Sequence, residues 1–229
     1  MPDDLTNSEL YFLSQIRKGL KVIFDVGTNN DSIYLDEICD VHYFEPYIKP
    51  LIELSNKPRK NVNAYFNFFG LGNKEEHLKY YDNVGSFTDR SKGFSRTPSH
   101  YSGLELLVRR AEDYINEKNI TSIDFVKIDV EGFELNVFKG FGDKLNIVKY
   151  IQFEYGSGVA DNGYKMIDMI NYLKQYGFRG FSYIDHWKNS GLIPITDYTD
   201  HWKWCNMVCY NSNLLTHSDT PFPNHNKDM

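Results

Sequence analysis

The chain has 229 residues, 41% of them apolar and 16% aromatic, and carries a formal charge of −6. That length suits one α/β domain with a sizeable core. No apolar run approaches the roughly 18–20 residues of a membrane span, and the negative balance counts against a nucleic-acid partner, which needs a basic stripe to meet phosphates.

Residues 5–20 read as a helix, with Thr6 and Glu9 at capping-box spacing and Leu10, Leu13, Ile16 and Leu20 at helical intervals. A first strand follows over Val22–Val26, then a short helical stretch and a second strand ending at Glu45. Pro46 and Pro50 bracket the entry to a helix over Ile48–Ser55; residues 61–69 alternate as a third strand, and 77–81 read as a short hairpin strand. Residues 85–103 show almost no periodicity, and a loop of that length in a compact domain is usually functional or mobile. A helix over 110–116 leads to a fourth strand at 123–129, a helix at 131–139, a fifth strand at 147–155 and a helix at 164–176. Strands at 180–184 and 206–210 close the pattern, and the polar tail from 212 to 229 is expected to fray.

Alternating strands and helices imply parallel pairing with right-handed crossovers, and the late strand pair implies an antiparallel addition at one edge. With no repeat and no linker, the whole of 1–229 reads as one domain: an N-terminal helix, a core over 21–155, and a final part of the sheet over 156–211.

Three strings carry the chemistry: KVIFDVGTNN at 21–30, HYFEP at 42–46 and FVKIDVEGFE at 125–134. Each is an apolar run that stops at an acid or a glycine, the way a parallel sheet presents groups at the carboxyl ends of its strands. Gly27, after Asp25 and Val26, lets backbone approach a ligand where a Cβ would collide. Glu45 follows Asp25 by 20 residues, the spacing of the acid that takes a ribose diol in dinucleotide-type folds. The third string places Asp129 at a strand end, with Glu131 and Glu134 just beyond it.

Together the strings resemble the FkbM family of S-adenosylmethionine-dependent methyltransferases, in which DVGAN, FEP and KIDVEGxE recur in this order. Here they stand as Asp25-Val26-Gly27-Thr28-Asn29, Phe44-Glu45-Pro46 and Lys127 through Glu134. Gly70-Leu71-Gly72, Val84-Gly85-Ser86 and Gly140 fit as well, so the resemblance spans roughly residues 20–210. It implies a Rossmann-like class I methyltransferase: a mostly parallel seven-stranded sheet with an antiparallel strand near one edge and helices on both faces. It further implies that the cofactor lies across Asp25, Gly27, Thr28 and Asn29, with Glu45 on its ribose, Asn67 and Gly70 near adenine and Asp129 near the reactive methyl. The family commonly has a second glycine four residues after the first, where this chain has Asp31. Aspartate tolerates the left-handed conformation, so the turn is expected to survive there.

A sugar hydroxyl is too weak an acid to ionise unaided, so O-methylation needs a general base or a cation that stabilises the alkoxide. Asp129 and Glu154 end strands expected to be neighbours, and Glu131 is close to the first, which makes these three the catalytic candidates. Asp129 and Glu154 are also the candidate ligands for magnesium or manganese, both of which favour hard oxygen donors. The bland alternatives are that Glu131 caps its helix and Glu154 pairs with a loop arginine.

His186, Trp187, His201, Trp202 and Trp204 offer aromatic faces for a sugar and a histidine base, though a core role suits any single tryptophan as well. Arg90, Lys92, Arg96 and His100 read as a lid or as solvated charges. The expected acceptor is a sugar or glycan. A dinucleotide-dependent oxidoreductase lacks its GxGxxG here, and a non-catalytic binding module draws only on the substituted glycine. Cys39, Cys205 and Cys209, odd in number and sparse, imply a reducing compartment and buried free thiols rather than zinc ligands. The polar, acidic N-terminus is unlike a targeting peptide, so a cytoplasmic location is expected.

Overall fold

A computed structural model describes residues 4–184 and 191–223. Its strands are β1 Val22–Val26, β2 Asp40–Phe44, β3 Asn63–Asn67, β4 Gly70–Leu71, β5 Glu76–Tyr81, β6 Tyr101–Arg109, β7 Ile123–Ile128, β8 Val148–Tyr155, β9 Phe178–Ile184, β10 Leu192–Pro194 and β11 Cys205–Asn211. The helices are α1 Asp4–Ile16, α2 Ile48–Ser55, α3 Ala111–Glu117, α4 Glu134–Phe141, α5 Ser157–Asp161 and α6 Met166–Lys174.

The main sheet runs β10-β9-β11-β8-β7-β1-β2-β3. From β8 to β3 every pairing is parallel, while β11 runs against both β8 and β9. Five parallel strands with the late pair at one edge is the arrangement the alternating pattern implied. The sheet has eight strands rather than seven because β10, three residues ending in Pro194, adds to the edge beside β9. Proline is tolerated there because an edge strand has donors to spare. A second sheet, β4-β6-β5, stands apart. It takes in residues 101–109, where Gly103 at φ +83° and a register shift near Tyr81 hide the alternation from the sequence.

Side chains alternate across the main sheet as strand geometry requires. Phe24, Val26, Val126 and Ile128 face α3, α4 and α6. Ile23, Val41, Tyr43 and Phe125 face α1 and α2, where Phe12, Leu13, Ile16, Leu51 and Leu54 are buried. Helices thus cover both faces. Of the stripe read on α1, Leu13 and Ile16 pack inward, whereas Leu10 is 39% exposed and Phe12 takes its place. The tail does not fray at once, because Phe222 buries its ring against Phe12 and Tyr210 at centroid distances of 5.9 and 5.1 Å. All three cysteines are free and buried. No described helix is long and apolar enough to cross a membrane.

Candidate active site

After β1 the chain builds β2 and β3 on one side, then returns to add β7 and β8 on the other. A crevice opens at that reversal, the place an open α/β sheet offers to a ligand. Gly27, Asn29, Glu45, Gly70, Asp129 and Glu131 line it, and Pro46, Tyr80, Phe87 and Phe133 form an apolar wall. It is a cleft partly open to solvent.

At the tip of β1, Gly27 has φ +80°, and a Cβ there would stand 1.8 Å from the carbonyl oxygen of Asp129. The glycine of the first motif and the aspartate of the third are therefore packed backbone against backbone. The N–H groups of Gly27 and Thr28 donate to the Phe44 carbonyl at 2.9 and 3.3 Å, tying the turn to β2. Asn29 takes the left-handed φ of +52°, and its N–H donates to Glu45 Oε2 at 3.1 Å. Glu45 Oε1 accepts from the Tyr47 N–H at 2.9 Å. Two backbone donors thus aim the carboxylate; burial raises its pKa, and those same donors oppose the rise.

The turn forms without a glycine at position 31. In this turn the left-handed residue is Asn29, while Asp31 is exposed and pairs with Lys57 at 2.9 Å. Three of the expected cofactor residues, Asp25, Thr28 and Asn67, are not among those that line the crevice. Asp25 is 2% exposed and accepts from Ser32 Oγ at 2.6 Å. Thr28 is 3% exposed and donates to the Asn29 carbonyl at 3.2 Å. Asn67 spends its amide on the carbonyls of Tyr43 and Tyr65 at 3.0 and 3.2 Å.

Beyond β7 the motif forms a turn rather than the start of a helix, with φ +56° at Glu131 and +102° at Gly132. A Cβ on Gly132 would meet the Gly158 carbonyl at 2.3 Å, so a glycine is required. Glu134 opens α4 and ties the turn down, its Oε1 accepting from the N–H groups of Val130 and Gly132 at 3.2 and 3.1 Å. Its Oε2 is buried without a partner, and burial lifts its pKa to about 7.

Asp129, Glu131 and Glu154 converge: one oxygen from each can be chosen so that all lie within 4.8 Å of one another. Burial, followed by the charges of Asp129, Glu131 and Glu134, pushes the Glu154 pKa well above the carboxylate range. Glu154 is 6% exposed. A cluster of hard oxygen donors with this much mutual repulsion fits a divalent cation.

Arg90 answers the question of the loop arginine, with Glu131 rather than Glu154 as its partner. Its Nη2 donates to both the carbonyl and Oε2 of Glu131 at 2.7 Å. Nearby loop residues are pinned too: Ser86 Oγ donates to the Glu131 carbonyl at 3.1 Å, and Asp161 accepts from Ser95 N and Oγ at 2.7 and 2.8 Å. On the other side of the motif Lys127 is buried among Asp129, Asp25 and Glu9.

Glu131 also borders a second, smaller hollow with Arg90, Glu134, Glu154, Trp202 and Trp204. Trp202 packs on Tyr155 and Phe94, and His201 lies beside Tyr183. His186 and Trp187 lie outside the described residues. Sequence reasoning missed Tyr80, Phe87 and Phe133, apolar residues whose only signal is their closeness to the motifs.

The strand order, the crevice at the reversal and the acid after β2 define a Rossmann-like class I methyltransferase. The chain belongs to the FkbM family: the family model described as the methyltransferase FkbM domain matches residues 25–179. That membership implies S-adenosylmethionine as the methyl donor. A search of curated proteins finds no match. Among solved structures, the METTL16 MTase domain is similar at 10% identity and a TM-score of 0.43, over 89% of this chain and 64% of that one. This chain therefore spans just under two thirds of that structure's length. A human methyltransferase 10 domain containing protein is similar at 10% identity and a TM-score of 0.40, over 90% of this chain and 81% of that one.

Proposed function

We propose that the chain transfers the methyl group of S-adenosylmethionine to a hydroxyl, that of a sugar or glycan. The observation that carries this reading is the convergence of Asp129, Glu131 and Glu154 beside the cofactor crevice. Glu45 takes the ribose diol, and Gly27, Asn29 and Gly70 let the cofactor lie close to backbone. The apolar wall of Tyr80, Phe87 and Phe133 suits adenine. Carboxylates around the crevice favour the cationic sulfonium.

The acceptor oxygen attacks the methyl carbon in line; the O–C bond forms as the S–C bond breaks, and S-adenosylhomocysteine leaves. The hydroxyl proton passes to a carboxylate, Asp129 or Glu154, held within reach of the acceptor. Magnesium or manganese, held by Asp129 and Glu154 with Glu131, would lower the pKa of that hydroxyl and orient it.

Calorimetric titration with S-adenosylhomocysteine, with and without magnesium or manganese, tests the reading. Micromolar binding is expected, and a metal-dependent change would support the carboxylate site. No binding under either condition would overturn the intact-enzyme reading in favour of a fold that has lost turnover. Transfer of a labelled methyl to amines but not to hydroxyls would overturn the O-methylation.

A further inference from the structure

The hollow behind Glu131 differs from the cofactor crevice in its aromatic lining. Glycines and carboxylates line both, but the crevice carries Phe44, Tyr80, Phe87 and Phe133, whereas the hollow carries two indoles, those of Trp202 and Trp204. The two spaces share Glu131, so a group in the hollow comes up to one of the carboxylates that flank the crevice.

Carboxylates outnumber cations in the hollow, which also holds one unpartnered buried donor, Arg90 Nε. Glu134 Oε2 is fully buried and has no partner. Glu154, which also lines it, is itself more than nine-tenths buried. Glu134 Oε2 asks for a donor, because an unsatisfied buried acceptor costs free energy. The single basic side chain in the lining, Arg90, is already committed to Glu131 at 2.7 Å and faces Asp161 at 3.9 Å. A phosphate entering here would meet three carboxylates, Glu131, Glu134 and Glu154, against one guanidinium already paired with Glu131. Trp204, 48% exposed, stands over Gly156, where a Cβ would come within 3.1 Å of its ring. An indole beside buried acceptors suits a ligand with one apolar face and a rim of hydroxyls.

We propose that the hollow lined by Arg90, Glu134, Glu154, Gly156 and Trp204 is the acceptor subsite and takes an uncharged, hydroxyl-rich ring such as a pyranose without phosphate. This rests on the reading of the chain as a sugar O-methyltransferase and adds where the sugar sits and which sugars are refused. The ring packs on the indole, and its hydroxyls come up to the Glu154 carboxyl.

Saturation-transfer NMR on the full chain with S-adenosylhomocysteine present tests this, using neutral methyl pyranosides, their 6-phosphates and 2-amino analogues as probes. Neutral pyranosides are expected to bind at millimolar concentration and their 6-phosphates at least tenfold more weakly. Trp204→Ala and, independently, Gly156→Val (which fills the hollow from its floor) are expected to weaken neutral binding tenfold or more with S-adenosylhomocysteine affinity unchanged. Equal neutral binding by both variants would overturn the subsite while leaving the sugar reading intact. Phosphates that bind as well as neutral rings, or amino analogues that bind better, would overturn the choice of ligand. If no pyranoside binds while S-adenosylhomocysteine does, the sugar reading fails and the subsite with it.

Discussion

The ammonium of Lys127 lies 3.3 Å from Asp129 Oδ2, beneath the crevice that Asp129 lines. The same nitrogen is 3.9 Å from both Asp25 Oδ1 and Glu9 Oε1, so one buried cation answers three carboxylates. Burial works against the charge of Lys127, but Asp129, Glu9 and Asp25 outweigh it and raise its pKa. Glu9 belongs to α1, outside the span matched by the family model, so the N-terminal helix supplies part of the support for the motif aspartate. Removing one partner of a buried ion cluster strands the rest, at about 3–5 kcal/mol. Lys127→Met should lower the urea midpoint accordingly, and adding Glu9→Gln should recover part of the loss. A single variant as stable as the parent would show that the cluster contributes nothing net.

Glu45 and Asp129 should fail differently. Glu45 is aimed by two backbone donors, and a charge-assisted hydrogen bond to a ribose hydroxyl contributes about 1.5–3 kcal/mol. Glu45→Ala should therefore weaken S-adenosylhomocysteine binding by about ten- to a hundredfold, read by calorimetry. Unchanged affinity would remove Glu45 from the cofactor site.

For Asp129→Ala, cofactor affinity should fall only modestly while turnover is lost. Full turnover in that variant would take Asp129 out of the chemistry.

The parallel strands were legible because each motif ends one of them: β1 runs to Val26, β2 to Phe44 and β7 to Ile128, where the apolar runs stop. The residues packed across the turns were not. That Asn29 rather than Asp31 takes the left-handed position depends on the Glu45 carboxylate meeting its N–H, a contact between two strand ends. Arg90 looked like one of several loop cations, and its contact with Glu131 joins residues far apart in the chain. Lys127 is the same case, since its partners come from α1, β1 and its own strand end. The β6 strand was hidden because its register breaks and its pairing lies outside the main sheet.

Arg90 acts as a latch between the 85–103 loop and the motif turn. It holds both the carbonyl and the carboxylate of Glu131, a residue in the left-handed conformation that non-glycine residues adopt at a cost. Arg90→Ala should leave Glu131 without its counter-ion, lower kcat/KM for the acceptor more than tenfold and speed amide exchange over residues 86–97. Arg90→Lys keeps the charge but not the forked donor geometry, so it should restore only part of the rate. Exchange in the loop that matches the parent would rule out the latch.

Glu134 should leave its mark on stability as a function of pH. Its carboxyl titrates at about 7 in the fold against an ordinary value of 4.5, because burial penalises the charged form. The folded state therefore holds this proton more tightly than the unfolded chain does. Below pH 4.5 the group is protonated in both states and has no effect. As pH rises from there to about 7, unfolding releases a proton and stability falls, by about 3 kcal/mol in all; above that the penalty is constant. Glu134→Gln retains an oxygen for the N–H groups of Val130 and Gly132 but does not ionise. The difference between variant and parent, from denaturant midpoints, should grow in the variant's favour across that interval and then level off. Parallel curves from pH 4.5 to 8 would show that Glu134 ionises in the fold as easily as it does in water.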